Sequence, residues 1–215
     1  MPVATDEALR ARAAHLGPER RRPQVLDAAL AITVEQGCGQ VTIGSIADRL
    51  HVTRPVVYAC FADRVEIITA LLERETTNLR DALVAALRTA RGDDPESAFV
   101  DGFGALLRVV ADRPDSSRVV FAARPDPAVV HRFQRVRTEM QDIAGRWIGP
   151  ALSAWWDFAD VEAKLPVLIE FFLSSCEAAV RSMLDATNTW TADDLASMYG
   201  RMVCSAFSAA REPIG

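Results

Sequence analysis

Thr42, Thr53, Arg54 and Tyr58 are the side chains of this sequence best suited to meeting a polyanion. Hydroxyls donate to phosphate oxygens, and a guanidinium presents several N–H donors in one plane. Arg54 and Val56 also fit base edges, through a bidentate pair to guanine and apolar contact with a thymine methyl. Arg64 adds charge nearby, and Arg20, Arg21 and Arg22 form a cluster upstream. That cluster reads either as an arm reaching phosphates or a minor groove, or as an ordinary solvated terminus. Covalent chemistry has no comparable set. There is no His-Glu-x-x-His, no Gly-x-Ser-x-Gly and no phosphate-binding Walker loop, and Gly102-Phe103-Gly104 lies inside a helical pattern rather than after a strand. With three histidines far apart, neither a catalytic constellation, a metal site nor a cofactor is expected.

The elements that must position the polar set are two short helices. Thr42 offers a capping oxygen, and Ile43, Ile46, Ala47 and Leu50 recur at three- and four-residue spacing. His51 and Val52 leave the helix. Thr53 then offers a second cap, with Pro55 in the first turn, where its missing amide does no harm. Val56, Val57 and Phe61 are the expected inward positions, leaving Thr53, Arg54, Tyr58 and Ala59 to face out. Residues 42–61 are thus expected to form a helix-turn-helix, whose second helix enters a major groove. An upstream stripe of Val25, Leu26, Ala29 and Ile32 predicts a preceding helix stopped at Gly37.

From about Gln24 to Ile68 the chain resembles the TetR family of bacterial transcriptional regulators. The residues that carry the likeness are Gly37, Thr42, Ile46 with Ala47, Tyr58 and Phe61, followed by Asp63, Arg64, Ile67 and Ile68. Several positions depart from that pattern. Gly44 stands where a basic or polar residue is usual, which removes a phosphate contact and costs the helix about 1 kcal/mol relative to alanine. His51 replaces a turn glycine, so the backbone there either adopts positive φ or closes differently. Ala59, Cys60 and Ala62 replace bulkier or polar residues, leaving a small, apolar groove-facing surface.

The chain has 215 residues, half of them hydrophobic, enough for a small domain and a larger one. Its net charge of −5 is unevenly placed: residues 1–64 hold eight arginines against seven carboxylates, and the remainder 16 basic against 22 acidic side chains. A near-neutral reading module with an acidic body is compatible with DNA, because affinity follows the basic groups that meet phosphates. Cys38, Cys60, Cys176 and Cys204 have no paired spacing and read as buried thiols. The sequence shows neither a signal-peptide pattern nor a long uncharged apolar run, so a cytoplasmic, non-membrane protein is expected.

Beyond Asp63 the pattern stays helical. One long helix runs nearly to Arg91 on Val65, Ile68, Leu71, Leu72, Leu79, Leu83, Val84 and Leu87, and Pro95 opens another. A short helix is expected around Val119–Ala123, a longer one from about Pro127 to Trp147 interrupted or ended near Gly149-Pro150, then helices over 160–186 and 191–211. Nothing alternates with period two, so an all-α fold of nine or ten helices is predicted. Its division is an arm over 1–18, a three-helix DNA-binding domain over 19–72, and an effector-binding and dimerisation domain over 73–215.

The resemblance implies an effector pocket in the second domain and a homodimer through the last two helices. Phe99, Phe103, Phe121, Phe133, Met140, Trp147, Trp155 and Phe172 are the candidate walls, although aromatic stripes more often pack than bind. His131, Arg132, Arg135 and Arg137 read as a solvated face or as anchors for an acidic effector. Apolar residues occupy more of the last two helices than one neighbour can cover, and Phe171, Ala179, Met183, Met198, Met202 and Phe207 are the candidate dimer residues. The function these features imply is a repressor that binds double-stranded DNA at a palindromic operator and is released by a small, largely apolar effector. The rival is a helical small-molecule binding protein of the same fold that no longer binds DNA specifically; an enzyme is not expected.

Overall fold

The structure, a computed structural model, describes residues 17–87, 94–121, 130–156, 158 and 160–211. Among these residues the regular elements are nine α-helices and one 3-10 turn, Cys38–Gln40. In chain order the helices are α1 Pro18–Gln36, α2 Ile43–Arg49, α3 Arg54–Tyr58, α4 Arg64–Leu87, α5 Pro95–Asp112, α6 Pro114–Val120, α7 Val130–Trp155, α8 Val161–Leu184 and α9 Ala192–Ala209. The predicted all-α class is what the chain adopts.

Helix starts follow capping chemistry. The Asp94 carboxylate accepts from the Ser97 amide at 3.1 Å ahead of α5. Thr191 and Asp194 cap each other's backbone amides at 3.1 and 3.0 Å ahead of α9. Both carboxyls sit below their ordinary range, held there first by side-chain hydrogen bonds from Ser97 and Thr191.

Two expected boundaries differ. Pro150 does not interrupt α7, and Pro23 and Pro166 likewise lie inside α1 and α8. All three prolines are exposed, so water can serve the carbonyl that each deprives of an amide partner. The short helix expected over Val119–Ala123 starts earlier, at Pro114, a residue pre-set for a first helical turn; positions 122 and 123 lie outside the described residues. So do residues 1–16 of the expected arm.

The chain forms two compact units. One runs to Thr76 and takes in Arg118–Arg132; the other comprises Thr77–Ser117 and the chain from Phe133 onward. The division falls inside α4.

The first unit buries Val25, Ala29, Ile32, Val41, Ile46, Val57, Phe61, Ile67 and Leu71. The second has a core of Phe99, Phe103, Leu107, Leu152, Leu168, Ala179, Leu195, Val203 and Phe207. There α5 and α9 cross so closely that a Cβ on Gly200 would lie 2.6 Å from the Cα of Val100. Lys164, the one lysine of the sequence, is buried in this unit. Its Nζ donates to the carbonyl of Ala210 at 3.0 Å, placing a cation at the negative end of α9.

Candidate nucleic-acid interface

Helix α2 is fixed at its start by a reciprocal cap. Thr42 Oγ1 accepts from the Ser45 amide at 3.0 Å, while Ser45 Oγ accepts from the Thr42 amide at 3.0 Å and donates to the Gln40 carbonyl at 2.8 Å. Thr42 is therefore a capping residue first. The helix ends with His51 at φ 54°, the left-handed one of the two closures open to a residue in place of the turn glycine. His51 N donates to Asp48 O at 3.2 Å and Val52 N to Ala47 O at 3.0 Å, the paired bonds of a Schellman ending.

The chain re-enters helix at Arg54. Thr53 flanks α3 in extended backbone but its side chain makes no capping bond, so its expected cap is absent and its exposed hydroxyl is left outside the helix's hydrogen bonding. Val57, Cys60 and Phe61 are buried beneath α3; Thr53, Arg54, Pro55, Tyr58 and Ala59 are exposed, and Val56 is intermediate. Tyr58 is 55% exposed, unusual for a large aromatic side chain. Desolvation pushes the Cys60 thiol up, against the pull of Arg21 and Arg22, so it stays protonated and unreactive.

The other arginines expected on DNA have different work. Arg20, Arg21 and Arg22 lie in the first turns of α1, not in an arm. Arg21 is 2% exposed and cannot reach a phosphate without leaving the interior. Arg22 lies over the Phe61 ring, donates to the Cys60 carbonyl and pairs with Glu66 at 3.6 Å. Arg64 donates to the carbonyls of Val41 at 2.8 Å and Cys38 at 3.0 Å, bracing the segment ahead of α2. Their geometry places Arg22 and Arg64 as braces of the motif. A carbonyl that needs a donor is invisible in a sequence, so charge alone does not show these contacts. Arg20 remains exposed.

Residues 25–71, which contain this whole arrangement, match the family model described as bacterial regulatory proteins, tetR family. Over this stretch the chain is similar to the TetR family of regulators. Over 78 residues it is 37% identical to the HTH-type transcriptional activator FasR of Mycolicibacterium smegmatis, covering 36% of each chain. Over 103 residues it is 31% identical to the HTH-type transcriptional regulator BetI of Cronobacter sakazakii, covering 48% of each. The chain thus aligns with less than half the length of these two curated relatives. A solved TetR-like transcriptional regulator from Rhodococcus sp. RHA1 shares the fold with a TM-score of 0.69 at 18% identity, covering 90% of this chain and 99% of that one. All three carry the name of a transcriptional activator or regulator.

In the second unit, four of the expected effector residues converge. Phe99 lies 6.3 Å from Trp155 and 6.2 Å from Phe172 between ring centres, and Phe103 lies 6.0 Å from Phe172. They pack against one another and against Phe207 and Tyr199 as core. Met140 is half-buried and does not belong to that cluster; Phe121 falls in the first unit. The side chains of Phe133 and Trp147 lie outside the described residues. A separate open cleft of about 530 Å³ is lined by Asp94, Glu96, Trp156, Cys204, Ser208 and neighbours.

Arg137 is bound by Glu170 and Glu177 of α8, so it is a strap between helices rather than a free anchor. Its guanidinium in turn holds the Glu170 carboxyl below the ordinary range.

Of the expected dimer residues, Ala179 and Phe207 are fully buried within the single chain and cannot meet a second copy. Apolar spacing marks the stripe, but its two sides cannot be told apart by periodicity. Phe171 and Met202 are 42% and 57% exposed, and Met183 and Met198 are half-buried. Val167, missed on the same helix as Phe171, is 71% exposed. No described helix is long and apolar enough to cross a membrane.

Proposed function

We propose that this chain regulates transcription by binding a near-palindromic DNA operator as a homodimer, repressing from it until a small, largely apolar effector releases it. The observation that carries the reading is the outer side of α3. Thr53, Arg54, Pro55, Tyr58 and Ala59 share exposure on a five-residue helix whose opposite side is pinned in the core. Folding alone gives no reason to leave a tyrosine and an arginine there, whereas a major groove does. Thr42, Thr53 and the Tyr58 hydroxyl address phosphates, with Arg20 as a further charge; Val56 meets base edges or a thymine methyl.

Dimerisation is supported by Val167, Phe171 and Met202, apolar side chains left outward on α8 and α9. Two copies would set two reading heads about one helical turn of DNA apart. The effector is assigned to the aromatic cluster of Phe99, Phe103, Trp155 and Phe172, which would open to admit it. Helix α4 contributes to both units, Arg64–Thr76 to one and Thr77–Leu87 to the other, and offers a continuous element through which such opening would act. Decisive release demands that the effector favour the DNA-incompetent form by about 5 kcal/mol.

The test is binding to a duplex pool selected from randomised DNA and to the promoters of neighbouring genes, across a salt series. Sequence-selective binding that weakens steeply with salt, and is lost in the Arg54→Ala, Tyr58→Phe double variant, is the expected result. A wild-type protein that selects no sequence would overturn the reading in favour of the helical small-molecule binding protein. Because FasR is named an activator, a promoter-reporter strain with the gene deleted fixes the sign: reporter output should rise on deletion.

A further inference from the structure

Gly44 and Arg54 are ten residues apart in sequence and in contact in space. A Cβ built on Gly44 would lie 3.2 Å from Nη2 of Arg54, 3.6 Å from its Nε and 3.7 Å from its Cζ. The guanidinium therefore lies beside the one position of α2 that lacks a side chain. Two features of the chain put it there. Arg54 is the first residue of α3, and helical side chains lean toward the N-terminus, which here means back across the turn toward α2. The second feature is the missing Cβ itself, since alanine would already crowd Nη2. Arg54 is exposed and makes no hydrogen bond or ion pair with the described residues, so no protein acceptor accounts for its pose.

We infer that Gly44 is a positioning residue that seats Arg54 as a phosphate clamp, and that Arg54 is not a reader of bases. The inference rests on the DNA-binding reading above. In a helix-turn-helix the first helix crosses the sugar-phosphate backbone while the second lies in the groove. A guanidinium leaning on α2 is held at the backbone side of that division, away from the base edges that α3 meets through Val56. Arg54 thereby supplies the cation that α2 does not carry at position 44. It offers a planar set of donors to a phosphate, geometry that a lysine in its place would not reproduce.

The experiment is a double-variant cycle on the full chain, using the duplex the wild-type protein selects from a randomised pool, with every base pair of that duplex then substituted in turn. Arg54→Ala should weaken all of these duplexes by about the same factor, tenfold or more, and lower the slope of log affinity against log salt by about 1. Gly44→Ala should weaken binding about three- to tenfold in the Arg54 background, a fraction of one charge-assisted contact. In the Arg54→Ala background Gly44→Ala should change nothing. Three outcomes would overturn the inference: loss of preference at a single base pair in Arg54→Ala, additive effects of the two substitutions, or an unaltered salt slope. If instead the wild-type protein selects no duplex at all, the underlying DNA-binding reading fails, which is a different result. Gly44→Ala favours helix, so thermal unfolding of both proteins shows whether each is folded before binding is compared.

Discussion

The guanidinium carbon of Arg22 stands 4.1 Å from the centre of the Phe61 ring, and the same side chain donates to the carbonyl of Cys60. One residue of α1 thus holds the chain where α3 ends, one step before α4 begins. The reading helix has only five residues and one fully buried side chain of its own, Val57. Its orientation therefore depends on what grips its ends. Arg22 grips one, and the His51 turn with the Thr42–Ser45 cap fixes α2 on the other side.

Replacing Arg22 by methionine keeps the stem over the ring but removes the charge and the donor. The expected loss is about 2–3 kcal/mol of stability, combining a charge-assisted hydrogen bond with a cation–π contact. Urea unfolding measures it. A loss below about 0.5 kcal/mol would mean the contact is incidental.

His51 sits at φ 54°, a conformation that costs a residue with a Cβ about 1–2 kcal/mol and costs glycine almost nothing. His51→Gly should raise stability by about 1 kcal/mol after allowance for the extra freedom glycine gives the unfolded chain. The midpoint of thermal unfolding should rise. A fall would show that the imidazole makes a contribution larger than the strain.

Gly200→Ala replaces a poor helix former with the best one, and by propensity alone would stabilise α9 by about 1 kcal/mol. The structure predicts the opposite sign, because the new methyl would meet the backbone of Val100 at 2.6 and 2.7 Å. Pushing α5 and α9 apart should cost about 1–3 kcal/mol net. Calorimetry on the purified variant decides between the two signs.

Phe171→Glu with Met202→Glu puts two charges on the exposed apolar faces of α8 and α9 while leaving the buried Ala179 and Phe207 untouched. A dimer through these helices should weaken by about 2 kcal/mol or more per substituted contact, since an unpaired carboxylate resists burial. Sedimentation velocity should show monomers at concentrations where the wild-type protein is dimeric. An unchanged dimer would move the interface elsewhere.

The helix-turn-helix was legible because its determinants are local. Thr42, the Ile46-Ala47 pair and the Val57–Phe61 spacing act within a turn or two of backbone, and caps and apolar periodicity do not need a tertiary partner to be recognised. At His51 the sequence left two closures open, positive φ or a different turn, and the structure takes the first. The exposed set of Thr53, Arg54, Tyr58 and Ala59 follows from period alone once Val57 and Phe61 face inward.

What the sequence by itself determined was therefore the helical class, the reading motif and the residues that α3 turns outward. Tertiary structure decided which charges are spent on the fold: Arg22 on Cys60 and Phe61, Arg64 on Val41 and Cys38, Arg137 on Glu170 and Glu177. It also decided that Ala179 and Phe207 pack inside while Val167 and Met202 face out. The physical reason is common to both. A guanidinium or an apolar side chain is defined by the partner that satisfies it, and that partner lies tens of residues away, where periodicity carries no information.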